Sequence, residues 1–501
     1  MRAPRRWGPA ASLPDAGSRR HGGRTEGCPV THDLIVLGAG PAGANAAMAA
    51  RRAGLKVILL DEQDSAGGQV WRQPLPGLEG LPVSPEIRSG DALRTQLSAA
   101  DVDLRFGRRI WSVGRRFRVD ALGPQGNETV EAPSLIAATG AHERVVPFPG
   151  WTLPGIIGLA AATVLIKSQG VTPGRKVVVA GCGPLLVAVA AGILKLGGDV
   201  AGIVDLAGRR DWLAALPSLA TQPRLLGRGA GWGLKIGAAR IPVHFGHAVK
   251  AAQGQHALER VVIAPVDRDG AYAAGPELAI EADALCVGHG LVPGAEVTKL
   301  LRAEHRFDRL RGGFVPVLDA YGRTSIAGLY ACGDGAGLRG AIVAEQAGRL
   351  TGFTAAHDAG VVPNDRFAQV AGPILAAISR ARPFSDAMAG IMALRPAQVA
   401  AIAPETVVCR CEDVTRGEID AAHRAGAQDV NQLKHFTRCG MGPCQGRMCG
   451  DIAAELLASK VGSREQVGYW TGRPPLRPVP FDALMGAFDY SDIPIPEPAP
   501  L

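Results

Sequence analysis

Asp33-Leu-Ile-Val-Leu-Gly38-Ala-Gly40-Pro-Ala-Gly43 is the stretch that decides the fold of this chain. A short apolar run ends in glycines spaced Gly-x-Gly-x-x-Gly, and an Ala-rich helical stretch follows as far as Gly54. Lys56-Val-Ile-Leu-Leu60 is a second apolar run, with Asp61 at its end. Strand, turn, helix, strand and acid in this register make a dinucleotide-binding βαβ unit. Gly38 makes the tight turn, Gly40 lets the backbone approach a pyrophosphate, and Gly43 lets the helix pack on the strand. Pro41 and Ala42 open the helix, whose free N–H groups and positive end face the phosphates, and Asp61 can accept from ribose hydroxyls.

Three further segments favour FAD over NAD at this turn. Ala66-Gly-Gly68-Gln69 is a Gly-rich turn after the acidic strand end, where backbone can come close to a cofactor. Leu135-Ile-Ala-Ala-Thr139-Gly140 is a strand ending in a crossover back to the nucleotide domain. Leu329-Tyr-Ala-Cys-Gly333-Asp334-Gly is a late strand whose aspartate, in two-dinucleotide flavoproteins, meets the ribityl chain ahead of a helix starting near Arg339. Between these segments Val177-Val-Val-Ala-Gly181-Cys-Gly183-Pro-Leu-Leu186 repeats the pattern, the way a glutathione-reductase-like or thioredoxin-reductase-like fold inserts a second nucleotide domain into the first. The repeat is imperfect. Leu186 stands where the third glycine belongs, a bulk expected to push the helix off the strand, and Asp205 falls one residue later than Asp61 does. Occupancy by NAD(P), by another adenine nucleotide or by nothing stays open. Disulfide reduction is disfavoured, because it needs a dithiol near the flavin and the chain has no Cys-x-x-Cys.

At 501 residues, with 47% hydrophobic and 20% charged residues and 66 glycines, the composition is that of a Gly-rich α/β enzyme. The formal charge is +8, and residues 1–30 carry six arginines against Asp15 and Glu26, half of that excess. We read them as an unstructured basic extension or the product of a start codon placed too early. With no aromatic-interleaved basic patch, nucleic-acid binding is not expected. The uncharged run Val177–Leu194 is read as a buried strand-turn-helix rather than a membrane span. Cys28, Cys182, Cys286 and Cys332 are isolated in sequence, which fits a reducing cytoplasm.

The other five cysteines fall between Cys409 and Cys449: Cys409-Arg-Cys411, then Cys439, Cys444 and Cys449. Thr415-Arg-Gly-Glu418 and Asp429-Val-Asn-Gln432 resemble capping boxes, Gly426 can close the first helix, and a further helix follows Cys449. The thiols would then lie in loops at helix ends, with Arg410, Lys434, Arg438 and Arg447 to offset the charge of a cluster. Cys-x-Cys is cramped for a zinc knuckle, so [2Fe–2S] is preferred to zinc.

Cys409-Arg-Cys-Glu-Asp-Val-Thr415 and Lys434-His-Phe-Thr-Arg-Cys-Gly-Met-Gly-Pro-Cys-Gln-Gly-Arg-Met-Cys449 resemble the bacterioferritin-associated-ferredoxin-like [2Fe–2S] domain. That domain ends the flavoprotein α subunits of opine oxidases, hydrogen cyanide synthase and related D-hydroxyproline and L-proline dehydrogenases. The resemblance covers about residues 31–480. It implies Cys409, Cys411, Cys444 and Cys449 as ligands, with Cys439 a spare thiol. It also implies an electron-transfer subunit of a heteromeric amine or imino-acid dehydrogenase, holding FAD and [2Fe–2S]. The partner would be a flavoprotein of the D-amino-acid-oxidase type, and a small ferredoxin-like subunit could complete the complex. His142, Glu143, Arg144 and His289 are read as structural or flavin-contacting, and no acid–base constellation stands out. The rival readings are a stand-alone NAD(P)H-dependent reductase feeding an iron–sulfur partner, and a cofactor-bearing assembly scaffold.

The expected division is a first flavin segment at 31–150, an inserted nucleotide-like domain at 151–280 and a second flavin segment at 281–360. A linker at 361–400, the [2Fe–2S] domain at 401–465 and a Pro-rich tail at 466–501 complete it.

Overall fold

The structure, a computed structural model, describes residues 32–78 and 85–485. The basic extension and the last residues of the tail lie outside them. The first apolar runs form the strands Leu34–Leu37 and Val57–Leu60, joined by the helix Pro41–Arg52. They sit in a five-stranded sheet with Ser134–Ala137, Leu329–Ala331 and Asp103–Arg105, parallel throughout. All eight residues of the first two strands are buried, as continuous apolar runs in a sheet covered on both faces should be. The late helix Ala341–Asp358 lies so close on Pro41–Arg52 that a β-carbon at Gly348 or Gly352 would stand 2.0 or 2.1 Å from the carbonyl oxygen of Ala42 or Ala46. Small residues on both faces bring the late Gly-Asp turn against the first nucleotide turn.

The second sheet is also parallel, ordered Val243–Phe245, Asp199–Asp205, Lys176–Gly181, Ala284–Gly288 and Ile156–Gly158. Ala284–Gly288 pairs with Lys176–Gly181, so the inserted domain runs past the expected boundary at 280. The two crossings between the sheets, Ala141–Glu143 and Leu291–Pro293, pair antiparallel. A register shift between Val177 and Val178 absorbs the extra residue noted at Asp205, which comes to lie opposite Gly181. Asp61, which follows the Leu37–Leu60 pair, stands in the same relation to Gly38.

The expected linker holds a 29-residue helix, Asn364–Met392, carrying Pro373 and Pro383, and the short helix Pro396–Ala400. Phe367 and Ala371 pack on the first domain's core, and Met388 and Ile391 on the helix Arg209–Leu219 of the second. Prolines inside a helix conceal it from a reading of the sequence, because interior proline removes a backbone hydrogen bond.

Beyond it lies a small helical region with its own core, including Val408, Ile419, Leu433, Ile452, Leu457 and Val467. The capping box at Thr415 and Glu418 forms as expected, and the Asp429 carboxylate caps Val430–Thr437. The tail does not stop at the edge of this core. Leu476 packs into the first domain, its N–H donating to the carbonyl of Trp111 at 2.6 Å. Among the described residues no helix is long and apolar enough to cross a membrane.

Candidate cofactor and thiol sites

At the first turn the glycines divide into packing and open positions. A β-carbon at Gly38, where φ is +101°, would meet the Ala138 carbonyl oxygen at 2.4 Å, and one at Gly43 the Gly38 oxygen at 1.8 Å. Gly40 is different: its backbone is extended, and the nearest atom to a β-carbon there is Gly68 Cα at 3.9 Å. Gly68, with φ +57°, faces back onto Gly40 and the Pro41 ring. Asp61 accepts from the N–H of Ala39 at 2.5 Å and of Gln63 at 2.7 Å, while burial pushes its carboxyl up. Gln69 is exposed beside this turn.

The late turn closes the other side. Gly333 abuts Ala42, and Gly335 abuts Thr139 and Gly140. Thr139 donates its hydroxyl to the Gly294 carbonyl, and Gly294 N–H donates to the Gly140 carbonyl at 2.8 Å. One oxygen of Asp334 accepts from the N–H groups of Arg339 and Gly340, at 3.0 and 3.1 Å. Residues from all four sequence segments therefore lie against one another. The uncrowded backbone at Gly40 fits the close approach of a cofactor pyrophosphate, and the Asp334 turn fits its ribityl end.

The five clustered cysteines also come together. The sulfurs of Cys409, Cys439 and Cys449 lie within 4.8 Å of one another, all three buried. Cys411, exposed, and Cys444 are neighbours beside them. Cys439, expected to be a spare thiol, lies inside this group. The helix Val430–Thr437 ends at Arg438 with φ +61°, and this left-handed turn folds Cys439 inward, to 3.9 Å from the Cys449 sulfur. The thiols of Cys439 and Cys449 donate toward Cys409 and hold it far below the usual thiol range, while their own are raised. Sulfur donors so arranged, on loops between capped helices, fit a thiolate-bound metal centre. Among the described residues every cysteine is free, and burial pushes isolated Cys182, Cys286 and Cys332 up to about 12, the state of inert thiols.

Buried charge joins the thiol region to the flavin body. Asp451 accepts from Arg144 at 2.7 Å and from Arg464 at 3.0 Å, and both guanidiniums hold its carboxyl below the usual range. Arg447, two residues before Cys449, pairs with Glu296 at 2.8 Å. A cavity of about 300 Å³ lies between the crossover strands and the thiol loop, lined by His142, Glu296, Lys299, Asp451 and Trp470. Burial brings the Lys299 ammonium down to about 8 and lowers His142 as well. Lys299 escaped the sequence reading, since a lone lysine on a five-residue helix carries no pattern.

His289 is buried, lowered to about 4, and bonded to Gln398 at 3.0 Å, which suits a structural role. Glu143 accepts from the Ala160 N–H at 2.9 Å, and burial lifts its carboxyl to about 7 from the ordinary 4.5. The folded chain thus holds a proton there that the unfolded chain has lost, so stability falls as pH rises from about 4.5 to 7, by about 3 kcal/mol in all. Glu143→Gln keeps the acceptor and removes the charge. Thermal melts should show its stability gaining on the parent between pH 5 and 8; an unchanged difference across that range would refute a buried protonated Glu143.

Two parallel sheets joined by paired crossovers, the first carrying the dinucleotide turn, are the fold of an FAD-dependent oxidoreductase. The chain belongs to the pyridine nucleotide-disulphide oxidoreductase family, which it matches over residues 32–359. Residues 403–487 match the sarcosine oxidase A3 domain. The opine oxidase A-subunit of Agrobacterium tumefaciens strain Ach5 is 34% identical, over 89% of this chain and 90% of the relative. The hydrogen cyanide synthase HcnB subunit of Pseudomonas aeruginosa is 33% identical, over 90% and 97%. The sarcosine oxidase alpha subunit of Corynebacterium sp. strain P-1 is 28% identical, and this chain spans 45% of its length. A crystal structure of L-proline dehydrogenase from P. horikoshii shares the fold with a TM-score of 0.66, at 20% identity over 91% of this chain and 80% of the other.

Proposed function

We propose that this chain is the electron-transfer subunit of a heteromeric amine or imino-acid dehydrogenase, acting on opines, prolines, hydroxyproline or glycine. It would receive electrons from a D-amino-acid-oxidase-type partner. The observation that carries this reading is the thiol centre packed against an FAD fold, in a chain whose relatives are named as subunits of oxidases and synthases. FAD and a [2Fe–2S] cluster would supply a two-electron and a one-electron carrier. Gly38, Gly40, Pro41, Ala42, Gly43, Asp61, Gly68, Gln69, Thr139, Gly140, Gly333 and Asp334 hold the first. Cys409, Cys411, Cys444 and Cys449 hold the second, and Cys439 is the fifth thiol beside them. Arg144 and Arg464 fix Asp451, and with it the helix Gly450–Val461 that begins directly after Cys449. The tail closes the loop, with Gln445 donating to the Pro475 carbonyl at 2.6 Å and Arg447 to that of Leu476 at 2.8 Å.

Protein purified anaerobically should contain iron and acid-labile sulfide, and its dithionite-reduced form should give a paramagnetic signal. Serine at any of the four ligand positions should abolish or strongly change that signal, and Cys439→Ser should leave it nearly unchanged. Zinc without iron would refute the cluster. Loss of the signal in Cys439→Ser would replace the ligand set.

A further inference from the structure

The second nucleotide turn is filled by the chain itself. Gly183 holds the position that Gly40 holds in the first copy, the one a pyrophosphate must approach. A β-carbon at Gly40 would find nothing nearer than 3.9 Å, whereas one at Gly183 would lie 2.6 Å from Met392 Cγ and 2.8 Å from its Sδ. Met392 is the last residue of the 29-residue helix, and its carbonyl oxygen also presses on Gly290, 2.8 Å from a β-carbon there. Its side chain packs with Cys182, inside the turn, and with Leu206 beyond the next strand.

The ribose side is closed as well. Asp205, the partner of Asp61 by register, accepts from the Trp212 indole N–H at 2.8 Å and the Ala207 N–H at 2.9 Å. Trp212 belongs to the same apolar cluster as Met392. Arg395, three residues on, donates to the Leu206 carbonyl at 3.1 Å and pairs with Asp211 at 3.6 Å. Ligands of open parallel sheets bind at the carboxyl ends of the strands, and here those ends are covered. Leu186, expected to be the obstacle, is not one: it is 1% exposed and packs with Leu159, Val179 and Ile193.

The geometry points to a self-plugged second site, in which Met392 with Trp212 and Arg395 excludes dinucleotides, so that NAD(P)H is not an electron source for this chain. This goes beyond the proposed function and does not depend on the thiol centre.

Two measurements test it. The FAD-loaded parent protein should show no saturable binding of NADH, NADPH or ADP up to the order of 1 mM, the weak edge of useful affinity. Saturable binding that Gly183→Ala abolishes would overturn the proposal. The second is a double-mutant cycle read as melting temperature. Gly183→Ala should lower it, and by no more than about half as much in a Met392→Ala background, since neighbours in contact are not additive. The strain of alanine at φ +87° is common to both backgrounds and cancels. Additive effects would show that Met392 does not fill the turn. Should Gly183→Ala fail to fold, the titration of the parent protein decides the matter: saturable NADH binding at one additional equivalent refutes the plug.

Discussion

Gly40→Val is expected to give a folded protein that has lost its FAD. Gly40 has φ −66°, which any L-residue adopts, and a β-carbon there meets nothing nearer than Gly68 Cα at 3.9 Å. On the proposed reading the pyrophosphate approaches at this position, so the substitution should displace the cofactor while disturbing the protein's own packing little. FAD affinity should fall at least about tenfold, the loss that about 1.4 kcal/mol of obstruction produces. The melting temperature of the apoprotein should stay close to that of the parent. Gly43→Ala makes the contrast, because its methyl would meet the Gly38 carbonyl at 1.8 Å and destabilise the fold itself. Absorbance of the bound flavin and melts of both apoproteins separate the two. Stoichiometric FAD in Gly40→Val would place the cofactor elsewhere.

Asp451→Ala should be among the most damaging single changes to stability. The carboxylate is 10% exposed between Arg144 and Arg464, themselves 4% and 7% exposed, and its removal leaves buried Arg144 with carbonyl acceptors only and Arg464 with Glu455 as its one carboxylate. Breaking a buried pair in this way costs about 3–5 kcal/mol, mostly as desolvated charge without a partner. The exposed pair of Lys176 and Glu281, 3.4 Å apart, offers the comparison, and Lys176→Ala should cost less than about 1 kcal/mol. Denaturant titrations of the two variants against the parent would measure both. A loss at Asp451 no larger than that at Lys176 would show that the network does not hold the thiol region to the flavin body.

The parts of the molecule legible in the sequence are those whose signal is local. The Gly38 turn, the Thr139-Gly140 crossover and the Gly333-Asp334 turn each carry their signal within a few residues, and the three lie against one another in the fold. The capping box at Thr415 is equally local and forms as read. What escaped depends on contacts between distant segments. Nothing in residues 361–400 announces a helix through Pro373 and Pro383, because the packing on two domains that stabilises it is not written in its own periodicity. The inward position of Cys439 turns on a single left-handed residue, Arg438, an unusual choice for that conformation. Met392 over Gly183 joins residues more than two hundred positions apart.

The long helix has one more consequence, for how the molecule comes apart. It touches the first sheet's core near its start and the second domain near its end, then runs on into the thiol region within a few residues. The tail returns from that region to the first sheet through Leu476. A chain laced in this way distributes the loss of any one contact over three cores. The flavin body and the thiol region should therefore melt together, and opening one should expose backbone amides of the other to exchange with solvent.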